Sequence, residues 1–362
     1  MKKVVYLGLD VHSKCSVLGR MDGEGKYEGD VRFPTSESEL IRHVVAIEAD
    51  EKHLILEECS LARWTAQTLA PYVTKVVICD PKENRRIGWA RNKNDRQDAY
   101  QLCKVLRLGD YKEVYQAATD HRAEFKEAVQ FYMSRVQAAT RVKNQIRAVY
   151  LRSGVTNVEE VRAFDPEDKE YPARLSGELL RGMVEDLLEL LALMEKQAKR
   201  AFRRMVQAGR RYPEIARFQK IPGVGPVTAH VFSAWIQAPE RFASERRLWS
   251  YCGLGISERS SDNKPLGYRR LNRDGNPILK HVSYMAFMAA RRSGSEFGRF
   301  FEAVLERTGN RTHARLTVQR RILQTMWLMW RRGTDYNPAR IEAGAGSASS
   351  PPAAAKDGQR RA

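Results

Sequence analysis

The alternation of strand-sized apolar runs with amphipathic stretches over the first hundred residues constrains the fold more than any other feature. Three strands come first, followed by a helix, a strand, a helix, a strand and a final helix, which is the order of an α/β domain. The first helix begins at Ser36, because this serine can cap it and Glu39 follows three residues later. The strands are predicted at residues 4–9, 15–20, 26–33, 54–56 and 73–79.

The last helix of this series is predicted from Asp95 to about Leu108, with Asn94 as its cap. The complete order is that of a ribonuclease-H-like (Holliday-resolvase-like) domain, although many α/β folds share parts of it. We therefore predict such a domain over residues 1–115.

The rest of the chain is predicted to be all-α. Aliphatic residues spaced alternately by four and three from Leu180 to Met205 form a heptad seam, which indicates a coiled-coil helix within a helical region at 116–212. The seam could pack inside one chain as a hairpin or between two chains, and we expect self-association. A helical C-terminal domain is expected at 213–335, and residues 336–362, rich in Ala, Gly, Ser and Pro, are expected to be a disordered tail.

An excess of basic residues indicates a polyanionic partner. Lys and Arg total 62 against 44 Asp and Glu, a net charge of +18 that points to nucleic acid. No apolar run approaches the ~20 residues of a membrane span, and no signal peptide is evident, so we expect a cytoplasmic, nucleoid-associated protein with no membrane partner. The five cysteines contain no C-x-x-C pair, and a P-loop is absent, which excludes a zinc ribbon and an NTPase.

Four carboxylates occupy positions that this fold would bring together. Asp10 ends the first strand, Glu58 ends the strand after the helix, and Asp95 and Asp98 share one helix face. Hard oxygen donors in this number suit Mg²⁺, and a pair of such ions can stabilise both oxygens of a phosphoryl transfer. Glu57 competes with Glu58, because adjacent strand residues face opposite sides of a sheet.

The segment Ile221–Ala229 predicts a turn of the helix–hairpin–helix type. Gly223 and Gly225 would let the backbone approach a phosphate, and the N–H groups that open the next helix, around Thr228, could bind it. The alternative is a tight corner between two helices with no ligand. Because the chain is so basic, we favour contact with the DNA backbone.

A hydroxyl-rich stretch is the second place where chemistry could occur. A serine becomes a nucleophile when metals or cations stabilise its alkoxide, and Ser260 and Ser261 have basic neighbours. A pair of serines is otherwise ordinary loop chemistry. The basic residues that we predict to bind nucleic acid here are Arg259, Lys264, Arg269 and Arg270.

The combination of these motifs resembles the insertion sequence 110 family of transposases and the related Piv-type DNA invertases. The resemblance covers about residues 4–108 and 217–292. It is carried by Gly8–Lys14, Glu58–Ser60, Lys93–Ala99, Ile221–Ala229, Gly253–Ser261, Gly275-Asn276 and Leu279-Lys280.

The resemblance implies a site-specific DNA recombinase that is guided by a structured bridge RNA and acts on donor and target DNA as a dimer or tetramer. Ser261 matches the family's nucleophile, which forms a phosphoserine–DNA intermediate, and Ser260 is its nearest competitor. The four acids that would bind Mg²⁺ are Asp10, Glu58, Asp95 and Asp98.

The sequence also departs from the family's pattern beside the serine. The family usually has glycine next, whereas this chain has Asp262-Asn263, and a carboxylate there would repel a phosphate unless a cation shields it. Two other functions stay open: a metal-dependent Holliday-junction-type nuclease that uses water and leaves no covalent intermediate, and a non-enzymatic nucleic-acid-binding protein.

Overall fold

Two units make up the chain, Met1–Gln116 and Ala117–Ala362. The computed structural model describes residues 2–81, 95–117, 119–257, 260–261, 264–265, 270–272 and 274–342. Within those ranges, none of the helices combines the length and hydropathy that a membrane span requires. Asn94, the predicted cap, lies outside the described residues.

A five-stranded mixed sheet, in the order β3-β2-β1-β4-β5, forms the centre of the first unit. β1 pairs antiparallel with β2 and β2 with β3, whereas β1–β4 and β4–β5 are parallel. β4 begins three residues earlier than predicted. Its first three residues are polar and only half-buried, so they do not extend the apolar run from which the strand was predicted. The strands are β1 (Val4–Val11), β2 (Cys15–Asp22), β3 (Tyr27–Pro34), β4 (Glu51–Glu57) and β5 (Lys75–Cys79).

Helices cover both faces of this sheet. α1 (Glu37–Val45) and α2 (Ala62–Leu69) pack on the face that carries Leu7, Leu9 and other buried aliphatics. α3 (Asp95–Leu108) packs on the opposite face. Ser36 caps α1, its hydroxyl accepting from the N–H of Glu39, as the sequence predicts. The predicted α/β layering of this unit is thus confirmed.

In its described residues, the second unit consists of helices and connecting turns, with four two-residue strands. Its helices are α4 (Asp120–Arg152), α5 (Glu160–Ala163), α6 (Glu178–Gly209), α7 (Pro213–Phe218), α8 (Pro226–Ile236), α9 (Glu245–Tyr251), α10 (Pro277–Arg292), α11 (Glu296–Thr308), α12 (Arg311–Arg332) and α13 (Ala339–Glu342). Between α9 and α10 lie β6 (Ile256–Ser257), β7 (Ser260–Ser261), β8 (Lys264–Pro265) and β9 (Arg270–Leu271).

The predicted heptad seam of α6 packs against α4 of the same chain. Val184 and Leu191 of this seam share a buried cluster with Val142 and Ile146 of α4, and the same cluster buries Leu188 in place of the predicted Leu187. The hairpin alternative therefore accounts for the seam within one chain. Self-association remains a prediction.

The predicted start of the disordered tail, at residue 336, is too early, because structure continues to residue 342. Tyr336 stacks on Phe297 of α11 with ring centroids 6.3 Å apart, and Ile341 is buried in the core of the second unit. One apolar residue in a polar stretch gives little periodic signal, so the sequence missed this anchor. Residues 343–362 lie outside the described part of the chain.

Candidate metal centre and serine segment

Asp10 lies at the end of β1, beside the parallel strand β4. The register pairs Leu9 with Leu56, so the two strands end at the same edge of the sheet, as the sequence predicts. Alternation along β1 places Asp10 on the same face as Gly8, which is the face that α3 covers. Its carboxylate is mostly shielded, with 18% of the side chain exposed.

The approach of α3 brings two further acids to this place. Helix α3 packs on β1 at Gly8 and begins with Asp95 and Asp98 in its first turn. Both of these carboxylates act electrostatically on Asp10. The structure therefore brings together three of the four predicted acids.

His12 is a member of this group that the sequence analysis missed. Ligand atoms of Asp10, His12 and Asp95 all lie within 4.8 Å of one another, and no other such trio occurs among the described residues. His12 Nε2 is 3.1 Å from Asp10 Oδ2. Its position in the sequence could have revealed it. His12 comes two residues after Asp10, and residues two apart in an extended chain point to the same side.

The electrostatics of this group, which we call the acid cluster (Asp10, His12, Asp95 and Asp98), favour a bound cation. Burial raises the pKa of Asp10, and the carboxylates of Asp98 and Asp95 raise it further, while His12 lowers it. Arg32 lies 3.5 Å from Asp95 and supplies one positive charge. The donor set of carboxylate oxygens with one imidazole nitrogen suits a divalent metal ion.

Glu58 lies outside the trio of ligand atoms. It is exposed and follows β4, and its carboxylate accepts a hydrogen bond of 3.2 Å from Gln116. Alternation along β4 places Glu57 on the side of Ile55, which is the α3 side. By this alternation Glu57 shares the face of the sheet that carries Asp10, whereas Glu58 follows the end of β4 and bonds to Gln116.

The two ends of the serine segment, residues 255–272, pair with each other. The N–H of Asn272 donates to the carbonyl of Gly255 at 2.8 Å, and β6 pairs antiparallel with β9. Farther along, β7 pairs with β8, which places Ser261 opposite Lys264 in the register. The serine pair therefore belongs to a short β-ladder.

The basic residues predicted around the serines are only partly described. Arg270 is exposed in β9, at the base of the segment. Lys264 belongs to the β7–β8 ladder. Arg259 and Arg269 lie outside the described residues.

The predicted helix–hairpin–helix turn joins α7 to α8. Gly223 has φ +84°, and a Cβ there would stand 2.3 Å from the carbonyl oxygen of Ala286, so this glycine serves close packing on α10. A Cβ on Gly225 would meet nothing within 4 Å. The side chain of Thr228 is buried, with 6% exposed, so the predicted phosphate contact of Thr228 would be made by its backbone N–H.

Two protein-family models match the chain. One, described as "Transposase" and named for the DEDD transposases of IS110, matches residues 7–153. The other, described as "Transposase IS116/IS110/IS902 family", matches residues 215–302. The acid cluster lies within the first match and the serine segment within the second.

Two curated proteins are similar to the chain. The transposase for insertion sequence element IS1111A of Coxiella burnetii is 22% identical over 320 residues, which cover 85% of this chain and 85% of that protein. The protein y4qE of Sinorhizobium fredii, named as a transposase, is 24% identical over 270 residues. That match covers 71% of this chain and 64% of y4qE.

Proposed function

The chain belongs to the IS110 family of insertion-sequence transposases, and from this premise we propose that it cuts and rejoins DNA strands. The first unit would hold a divalent metal ion, and the second would supply a serine nucleophile. The observation that carries the proposal is the convergence of Asp10, Asp95 and Asp98, distant in sequence, at the end of a parallel strand pair.

The first unit is proposed to be ribonuclease-H-like. Support comes from its sheet order, three antiparallel strands followed by two parallel ones, with an acid-bearing helix on one face. In this arrangement the acid cluster sits where the adjacent parallel strands end, which is the usual place for ligands in α/β sheets.

The metal is proposed to be Mg²⁺, held by Asp10, Asp95, Asp98 and Glu58. When bound, it would polarise the scissile phosphate and offset negative charge as that charge develops. The chain's own part is to fix the carboxylates: β1 places Asp10, and α3 places both aspartates of its first turn. His12 holds Asp10 through a 3.1 Å hydrogen bond and is available as an additional donor.

The nucleophile is proposed to be Ser261. Its Oγ would attack the phosphorus, forming the Oγ–P bond as the P–O3′ bond breaks, and the hydroxyl proton would pass to the departing 3′ oxygen. The product is a phosphoserine–DNA intermediate with a free 3′-hydroxyl, and attack by another strand's 3′-hydroxyl reverses the step to rejoin DNA. Exposed Arg270 is available to contact the DNA backbone at the base of the segment.

A structured guide RNA and a dimeric or tetrameric assembly are further parts of the proposal. The net charge of +18 supports binding of more than one polyanion. RNA transcribed from the DNA flanking the gene should co-purify with the protein. If no such RNA co-purifies and the protein still joins DNA strands, the proposed guide RNA is refuted.

The deciding experiment is a search for covalent protein–DNA adducts on denaturing gels. The substrate is a nicked duplex carrying the joined element ends, incubated with the full chain, its co-purified RNA and Mg²⁺. We expect adducts with wild type and with Ser260→Ala, and none with Ser261→Ala, which should still bind the duplex. Adducts at the wild-type level with Ser261→Ala would refute the serine assignment.

The alternative is a metal-dependent junction nuclease in which water attacks. The acid cluster would serve either reaction, so it favours neither. Cleaved DNA without any adduct, in the wild type, would identify the nuclease.

A further inference from the structure

Arg320 of α12 is hydrogen-bonded to the point where the serine segment begins. Its Nε and Nη2 both donate to the carbonyl oxygen of Leu254, at 2.9 and 2.7 Å. The guanidinium lies over the ring of Trp249, 5.8 Å from its centroid, and the indole N–H of Trp249 donates back to the Arg320 carbonyl at 3.3 Å. The two residues therefore hold each other and Leu254 in one arrangement.

This guanidinium is an unusual choice for a purely structural contact. Burial lowers the pKa of Arg320, and no carboxylate among the described residues is paired with it. An arginine remains charged even so, because its ordinary pKa is so high. A half-buried charge that donates to a single peptide carbonyl still loses part of its hydration, and an apolar side chain would fill the same space without that cost.

The other end of the serine segment is fixed independently of Arg320. The side chain of Asn272 donates to Ser250 Oγ at 3.3 Å, and the N–H of Asn276 donates to the carbonyl of Tyr251 at 2.7 Å. A Cβ on Gly275 would stand 2.3 Å from the backbone of Gly253, so the entering and leaving strands touch there. Both ends of the segment are thus anchored close to α9, and Arg320 supplies the side-chain contact that holds the entry at Leu254.

We infer that Arg320 is a positioning residue for the serine nucleophile: it fixes the carbonyl of Leu254, at the start of the part of the chain that carries Ser261. This inference rests on the proposed function of Ser261. Two donors of a planar guanidinium fix a carbonyl in both distance and direction, whereas a single ammonium fixes only distance.

The test measures the single-turnover rate of covalent adduct formation against DNA concentration, on the substrate described above. For Arg320→Ala we expect the maximal rate to fall about a hundredfold, with the half-saturating DNA concentration unchanged. Arg320→Lys should recover only part of the rate. Millimolar guanidinium ion should raise the rate of Arg320→Ala and leave that of wild type unchanged.

The matched control is Arg321→Ala on the same helix. Arg321 also donates to a peptide carbonyl, that of Arg340 at 2.7 Å, and its loss removes the same charge together with contacts to Gln324 and Arg340 rather than to Leu254. We expect its adduct rate to equal that of wild type.

Three outcomes would overturn the inference. The Arg320 variants could react at the wild-type rate, they could lose rate only in proportion to DNA affinity, or Arg321→Ala could lose as much. If Arg320→Ala does not fold, Arg320→Lys decides. Adducts that persist with Ser261→Ala overturn the proposed function instead, so the two failures are distinguishable.

Discussion

Gly8 of β1 lies so close to α3 that a Cβ on it would stand 2.2 Å from the carbonyl oxygen of Ala99. Ala99 directly follows Asp98 and is one turn from Asp95. Because Gly8 has no side chain, α3 can lie close to β1, and this closeness sets how near Asp95 and Asp98 come to Asp10. The geometry of the proposed metal site depends on this backbone contact as much as on the acids.

Replacing Gly8 by alanine should push α3 away from β1. We expect Gly8→Ala to lower the free energy of unfolding by about 1–3 kcal/mol, as overpacking does, and to weaken stabilisation by Mg²⁺. Chemical unfolding with and without Mg²⁺ measures both. Gly23→Ala is the control, because the nearest atom to its Cβ, the carbonyl oxygen of Val4, is 3.7 Å away. Equal behaviour of the two variants would show that α3 does not depend on Gly8.

Asp10→Asn should stabilise the metal-free protein near pH 7.5. Burial raises the pKa of Asp10, so the folded state binds its proton more tightly than the unfolded state does. Wild type therefore loses stability as the pH rises from the unfolded value of about 3.9 through the raised one, and the uncharged variant does not. Unfolding curves at pH 7.5 and pH 3.5 in EDTA measure the difference, which should vanish at the lower pH.

Mg²⁺ should reverse this order of stabilities. A ligand at a hundred times its Kd stabilises the folded state by about 2.7 kcal/mol, and Asp10→Asn should gain little of it. A variant less stable than wild type in EDTA at pH 7.5, or equally stabilised by Mg²⁺, would contradict the acid cluster as a metal site.

Glu57→Gln and Glu58→Gln should separate the two candidate ligands. We expect Glu58→Gln to lower Mg²⁺-dependent DNA cleavage by at least about a hundredfold, since its exposed carboxylate lies just past the end of β4, where Gln116 is its hydrogen-bond partner among the described residues. Glu57→Gln should lower it much less. A single-turnover cleavage assay decides, and the opposite order would move the ligand to Glu57, on the face that carries Asp10.

Gly223→Ala and Gly225→Ala should affect different properties. Gly223→Ala should cost about 2 kcal/mol of stability or more, because its φ is positive and its Cβ would meet Ala286. Gly225→Ala should leave stability within about 0.5 kcal/mol but weaken DNA binding, because a methyl group would obstruct an approaching phosphate. Thermal unfolding and a DNA titration measure the pair. If Gly225→Ala binds DNA with unchanged affinity, this turn does not contact DNA and only connects two helices.

The sequence predicted most of what depends on neighbours along the chain. The run from Val4 to Leu9 and the cap at Ser36 are local patterns that form as expected, and the long helix predicted from the seam also forms, as α6. The strand order predicted for a ribonuclease-H-like domain also led us to expect that Asp10 lies near the helix that begins at Asp95. The polar residues that begin β4, such as Glu51, show no apolar pattern, and the sequence analysis did not assign them to the strand.

What the sequence by itself determined is therefore the α/β order of the first unit, the helical second unit and the acids that a sheet edge can gather, because periods of 2 and 3.6 record which side of each element is buried. Tertiary structure decided the rest. Distances between separate elements decide three further features. These are the place of His12 in the acid cluster, the burial of Thr228 and the hydrogen bonds from Arg320 to Leu254, 66 residues away in sequence. Packing fixes those distances, and no local pattern encodes them.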